Sequence, residues 1–251
     1  MTISDYPFKA LFQRIATGSW PDGVSFPQKV LNDYVWQNLD GKLHRQHGPA
    51  LIVSYGTKAW YQNGDLHRID GPAIEHSSGS REWYVNGLYH RIDGPAVERA
   101  DGTREWYLGG KRHREDGPAI EHANGSREWY VNDLCHRIEG STVERADGTR
   151  EWYLGGKRHR EDGPAVEHSD GSREWYVNDL CHRIDGPAIE RADGTREWFL
   201  GGKRHREDGP AIEHPDGTKE WFQHGLRVAY VKAGYRLPEP PPVLVPTIDQ
   251  N

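Results

Sequence analysis

Eight histidines recur every 23 residues, at His44, His67, His90, His113, His136, His159, His182 and His205, and each is followed by arginine. Imidazoles set among carboxylates are the residue types of metal arrays and proton relays. The spacing argues against a shared ion. Copies separated by two hairpin strands stand about 10 Å apart, whereas a His–metal bond is close to 2 Å. No metal and no cofactor is therefore expected. The predicted role is structural, with His or Arg hydrogen-bonded to the following aspartate (Asp70, Asp93, Asp116) or to the repeated glutamate (Glu75, Glu98, Glu121), because partly buried polar groups must find partners.

A second periodic set is aromatic: Trp60, Trp83, Trp106, Trp129, Trp152, Trp175, Trp198 and Trp221, each followed by Tyr or Phe. Neighbours on a strand face opposite sides, so Trp and Tyr line different faces. The tryptophans are assigned to a structural ladder of stacked aromatics that holds the repeats together. Tyr84, Tyr107, Tyr130, Tyr153, Tyr176 and Phe199 are expected to form an exposed row that meets a partner. Arg112, Arg158 and Arg204 join them from K-R-H-R segments at 111–114, 157–160 and 203–206, which could grip phosphates or anionic headgroups. Glu-Asp follows each segment at once and cancels much of that field. The recurrent D-G-P-A corners are backbone punctuation. Glu139-Gly140-Ser141-Thr142 lacks the proline and is expected to be looser. Catalysis needs a unique constellation, but His, Glu and Asp are spread evenly over the copies, with no G-x-S-x-G, P-loop or C-x-x-C. No enzyme is expected.

The elements that carry these residues follow from the same period. The unit reads R-E-W-Y-x-x-G-x-x-H-R-x-D-G-P-A-x-E-x-x-D-G-T, and a repeat of 20 to 50 residues marks a stacked architecture with an extended surface. Each unit is predicted to hold a β strand such as Thr103–Leu108, a two-residue turn, and a short return strand, Lys111–Arg114. Asn86-Gly87 and Gly109-Gly110 suit the positive φ of a type I′ turn. A D-G-P-A corner, an extended piece (Ala119–His122) and a second turn (Asn124-Gly125) lead to the next unit, with no helix in the repeats. A 46-residue period lies above this one. Segments 104–149 and 150–195 differ at seven positions, among them Ile120/Val166 and Ser141/Pro187, so tips bearing K-R-H-R alternate with tips bearing Leu134-Cys135 or Leu180-Cys181.

The ends depart from the pattern. Residues 1–35 are expected to form a small N-terminal cap, part helical, with a short helix at Lys9–Ile15, a turn at Pro21-Asp22-Gly23 and a helical turn opened by Pro27 through Val30 and Leu31. Eight to nine repeats occupy 36–225, the first eroded, with Trp36 one residue out of phase. A closing strand covers 226–236, and 237–251 form a Pro-rich flexible tail. The predicted fold is all-β, one domain, an elongated single-layer stack of antiparallel β-hairpin repeats.

Composition agrees. Mean hydropathy is −0.90, yet 10 Trp and 12 Tyr argue against disorder. Net charge is −6, from 32 basic and 38 acidic residues, so no nucleic-acid partner is expected. Cys135 and Cys181 lie two repeats apart, too far to bridge, and imply free thiols in a reducing compartment. The N-terminus has no signal-peptide pattern and no stretch is long enough to span a membrane, so a cytoplasmic location is expected.

The segment G-G-K-R-H-R-E-D-G-P-A-I-E-H-A-N-G followed by E-W-Y resembles the MORN repeat, whose units are also about 23 residues with a W-x-x-G-K-x-x-G-x-G core and a later D-G. The likeness covers roughly residues 36 to 225 and departs in adding His-Arg-x-Asp before Gly-Pro and in shortening the link from D-G to Trp. The W-Y-x-N-G-x-x-H-R-x-D-G-P-A form is also similar to repeats in bacteriophage and giant-virus proteins. This resemblance implies stacked hairpins used for scaffolding, dimerisation or partner binding; lipid binding, proposed for the family, is the weaker inheritance. The expected function is a non-enzymatic binding or scaffold protein with a protein partner or a second copy of itself. The alternatives are a viral counter-defence protein that binds and inhibits an immune factor in the host cytoplasm, and a glycan-, small-ligand- or lipid-headgroup-binding array, which the missing signal peptide disfavours.

Overall fold

The computed structural model describes residues 26–30 and 33–234. The expected helix at 9–15, the turn at 21–23 and the tail at 237–251 lie outside the described residues. Contacts group the chain into two units, Met1–Arg158 and His159–Asn251, and the repeat is built alike in both. All described elements are β strands and turns.

Each repeat is a hairpin with an interruption in its returning strand. In the repeat that begins at Arg81, strand Arg81–Glu82 runs through Trp83 into Tyr84–Val85, and the chain turns at Asn86-Gly87. The return starts as Leu88–Tyr89, paired with Tyr84–Val85, and resumes as Val97–Glu98, paired with Arg81–Glu82. Between them His90–Ala96, seven residues, bulge out opposite a single one, Trp83. The Trp83 N–H donates to the Ala96 carbonyl (2.8 Å) and its carbonyl accepts from His90 N–H (3.1 Å), closing the neck of the loop. Val97–Glu98 also pairs with the next repeat's Arg104–Glu105, so each unit is a single antiparallel layer. Successive tips are tied as well, by Gly110 N–H to the Tyr89 carbonyl (2.8 Å) and Arg91 N–H to the Tyr107 carbonyl (3.3 Å).

The turn chemistry follows prediction. Asn86 (φ 50°) and Gly87 (φ 76°), Gly109 (φ 58°) and Gly110 (φ 82°), and Asn132 (φ 52°) and Asp133 (φ 66°) all occupy the left-handed region that a type I′ turn requires. Asp133 compensates for its strained backbone with a carboxylate that accepts the Arg112 N–H of the preceding tip (2.9 Å).

The core is thin. Ala50, Ala73, Ala96 and Ala119 in the first unit and Ala165, Ala188 and Ala211 in the second are 0% exposed, each at the end of its loop. Beside them lie Val97, Ile120 and Val143, and Val166 and Ile212. Truncating one of these isoleucines to alanine would cost about 2–5 kcal/mol.

Four expectations change. Phe26–Val30 is a strand, paired antiparallel with Asp33–Gln37, where Pro27 was expected to open a helical turn. Proline disfavours the helical region for Phe26 before it, and strand pairing then decides. Trp36 is in phase structurally: its N–H donates to Ala50 (2.8 Å) and its carbonyl accepts from His44 (3.0 Å), and the extra residue is absorbed in the Asn38–Lys42 turn. The corner without proline is not loose. Gly140 takes φ 86°, and Ser141 and Thr142 are buried. The Thr142 hydroxyl donates to the Glu151 carbonyl (3.0 Å) and accepts from Tyr153 N–H (2.8 Å). Finally, the closing strand Leu226–Val231 is a repeat without its loop: a register shift between Trp221 and Phe222 takes the place of the seven-residue bulge.

A candidate partner-binding face

Alternation along the strand puts Glu82 and Tyr84 on one side of the layer and Trp83 and Val85 on the other. On the tyrosine side, the hydroxyls of Tyr84, Tyr107, Tyr130 and Tyr153 donate to Glu82, Glu105, Glu128 and Glu151 at 2.8–2.9 Å. In the second unit Tyr176 donates to Glu174 at 2.7 Å. The other carboxylate oxygen takes a basic group six residues earlier, whose identity alternates with the 46-residue period: His76 (2.7 Å), Arg99 (3.0 Å), His122 (2.8 Å) and Arg145 (2.8 Å). Burial opposes ionisation of Glu82 and Glu128, but hydrogen bonds from the tyrosines and the histidines outweigh it and hold both below the usual carboxylate range. Burial, reinforced by the carboxylate, pushes Tyr84, Tyr130 and Tyr153 up.

Within each unit the candidate residues share this side of the layer, but not as an exposed row. Tyr84, Tyr107, Tyr130, Tyr153, Tyr176 and Phe199 are half-buried and their cross-strand neighbours fill the gaps. Tyr89 stacks on Tyr84 (4.2 Å between centroids) and lies 5.0 Å from Tyr107. Arg112 pairs across from Tyr107, with Nε 3.3 Å from that hydroxyl and its guanidinium 5.3 Å from the Tyr130 ring. Arg158 is the half-buried neighbour of Tyr153. Where Phe199 lacks the hydroxyl, Arg204 takes its place on Glu197 (3.0 and 2.9 Å), between Phe199 and Phe222. The basic tips are part of this network, not free cations.

The tryptophan side carries a different lock. The guanidinium of Arg91 lies 4.1 Å over the Trp83 ring and bonds Asp93 (3.0 Å), the Pro95 carbonyl (3.2 Å) and Glu98 (3.2 Å). Arg45, Arg68, Arg114 and Arg137 sit in the same way over Trp36, Trp60, Trp106 and Trp129, as do Arg183 and Arg206 over Trp175 and Trp198 in the second unit. These seven rings are half-buried and each is capped by arginine; Trp221, whose repeat has no loop, pairs across to Ala229. Successive rings do not stack on one another, because repeats about 10 Å apart exceed stacking reach.

Arginine therefore makes the predicted bonds to aspartate and glutamate. Histidine does not. Its Nδ1 faces the next repeat's tip, accepting the N–H of Asn63 at His44 (3.0 Å) and of Gly109 at His90 (3.1 Å), while His67 Nδ1 lies 2.9 Å from the Asn86 Oδ1 and 3.2 Å from the Asn86 backbone nitrogen. In the second unit Gly201 on His182 repeats the contact (3.1 Å). Among the described residues no three His, Cys, Asp or Glu side chains gather as a metal group, and no helix is long and apolar enough to cross a membrane. Cys135 and Cys181 are free and buried; burial pushes the Cys135 thiol up to about 11.

What the polar networks leave outside is aliphatic. On the tryptophan side, Leu88 and Leu134 are 52% exposed at the tips, and Ile92 and Ile138 stand 86% and 93% exposed at loop apices. The sequence reading noted the Leu134 tip but gave it no binding role, and it passed over the isoleucines, although the alternation of V-N-D-L-C-H-R-I with L-G-G-K-R-H-R-E was visible. The chain is a protein of repeated antiparallel β hairpins, and comparison with family models and with curated proteins finds no match for it.

Proposed function

We propose that this chain is a non-enzymatic binding or scaffold protein, of MORN-like type, that meets a protein partner through an extended repeated face. The observation that carries this reading is the set of isoleucines and leucines held in water on loops and tips that hydrogen bonds and guanidinium–indole contacts fix in place. Large aliphatic side chains exposed at repeated positions on an ordered scaffold point to an interaction site. The tyrosine side supports a lesser role, since its hydroxyls and carboxylates are already satisfied by each other. A cytoplasmic setting suits two buried free thiols.

The test is affinity capture with purified protein as bait in lysate of the cells that make it, read by mass spectrometry. A stoichiometric protein lost with Leu134→Lys, but retained with Tyr153→Ser, supports the reading. Capture of nothing in stoichiometric amount, or loss with Tyr153→Ser alone, goes against it.

A further inference from the structure

Below the loops, the tryptophan side is indented. In the first unit a recess of about 290 Å³ opens between Pro118, at the foot of one loop, and the indole of Trp129 in the next repeat. Glu121 and Arg127, paired across two strands, form its floor, and His122, Gly125 and Ser126 of the lower turn form its rim. Trp129 stays half-buried although Arg137 lies over it. The second unit repeats this register three times. Glu167 pairs with Arg173, Glu190 with Arg196 and Glu213 with Lys219. Beside these pairs stand Pro164 and Trp175, Pro187 and Trp198, and Pro210 and Trp221, each indole again half-buried.

A wall of proline and indole suits an apolar side chain, and proline-rich extended peptides are held by such aromatic-lined grooves. The steps of peptide and stack agree. A polyproline II helix returns the same face every three residues, about 9.3 Å. The stack advances by two strands, about 9.6 Å. A peptide laid along the stack therefore meets one recess after another with the same face, drifting by only about 0.3 Å per repeat.

The chain carries such a sequence beyond its last strand. In L-P-E-P-P-P-V-L-V-P, Leu237, Pro240, Val243 and Pro246 fall three apart, so one face is wholly apolar, while Glu239, Pro242 and Val245 fall on another. Prolines at 238, 240, 241 and 242 fix φ near the value this helix needs. The origin of the segment is placed by the Ala233 N–H, which donates to Thr218 Oγ1 (3.3 Å) on the lower turn beside Trp221. From Gly234 to Leu237 is about 10 Å of extended chain, enough to reach the recess next to that turn.

We propose that residues 237–246 lie back along the second unit as a polyproline II strap, with Leu237, Pro240 and Val243 in the recesses of Trp221, Trp198 and Trp175. The strap occupies the lower half of the tryptophan side, below the tips and apices assigned to a partner, and stands or falls apart from that reading.

A nitroxide attached to Val245→Cys in the full chain tests it, because Cys135 and Cys181 are buried. The indole N–H resonances of Trp175 and Trp198 should lose intensity relative to the same sample with the label reduced. Leu237→Ser, Pro240→Ser and Val243→Ser together should restore that intensity. Glu239→Ser with Pro242→Ser, on the outward face, should leave the loss in place. Each set removes one proline, so their difference reads the docking face and not the stiffness of the segment. No intensity loss in the labelled chain, a loss that survives the docking-face variant, or equal restoration by both variants overturns the proposal.

Discussion

Replacing Arg114 with alanine isolates the lock on which each loop depends. Its guanidinium lies 4.1 Å over Trp106 and bonds the Pro118 carbonyl (3.1 Å) and Glu121 (3.1 Å), with its side chain 22% exposed. Loss of the ring contact should cost about 1 kcal/mol. Leaving the carbonyl and the half-buried carboxylate without their donor adds about 1–3 kcal/mol. The contact to Asp116 is left out of the sum because that carboxylate is fully exposed. The expected loss is about 2–4 kcal/mol. Arg104 supplies an internal control: it reaches the same Glu121 at 3.7 Å, but its side chain is 60% exposed, and such a pair is worth about 0–1 kcal/mol. Urea unfolding followed by tryptophan fluorescence measures both. Arg114→Lys should fall between, since a lysine keeps the charge but not the planar fork. An Arg104→Ala loss equal to that of Arg114→Ala, or an Arg114→Ala loss below about 0.5 kcal/mol, would refute the idea that the capped indole holds the loop.

Three further predictions use the other networks. Tyr130→Phe removes the donor to Glu128 opposite Cys135 and should cost about 1 kcal/mol, whereas Tyr107→Phe should cost less, because its cross-strand Arg112 can turn onto Glu105 as Arg204 does on Glu197; urea midpoints rank the two. Glu82, Glu128 and Glu197 have folded pKa values below the ordinary 4.5, so their contribution is present above that value and is lost as pH falls through the depressed folded values; stability that stays flat from neutral pH through that window contradicts the assignment. The Cys135 thiol, pushed up to about 11 and buried, should resist alkylation at mildly alkaline pH until urea unfolds the chain; rapid native labelling at Cys135 would show the strand pairing there to be wrong.

The repeat length, the type I′ tips and the all-β class were legible because each is written locally: the period in the tryptophans, the turns in Asn-Gly and Gly-Gly. The bond from Tyr84 to Glu82 was within reach, since residues two apart share a strand face, but the tyrosines were taken for an open row. The cap of Arg91 on Trp83 was not legible. It joins residues across a hairpin and a seven-residue loop, and the loop's path is set by the Trp83 bonds to His90 and Ala96, not by any propensity of its own. The choice between His and Arg as the partner of Asp and Glu was left open for a similar reason, since the histidine contacts lie 19 residues on, in the next repeat. Pro27 read as a helix start because the strand that overrides it, Asp33–Gln37, acts through pairing.

The most direct measurement of the central claim compares wild type with the Ile92→Lys, Ile138→Lys variant as baits for mass-spectrometric capture from lysate of the cells that make the chain. The account predicts one protein retained in stoichiometric amount by wild type and lost by the variant while the fold is kept. Identical captures by both baits would contradict it.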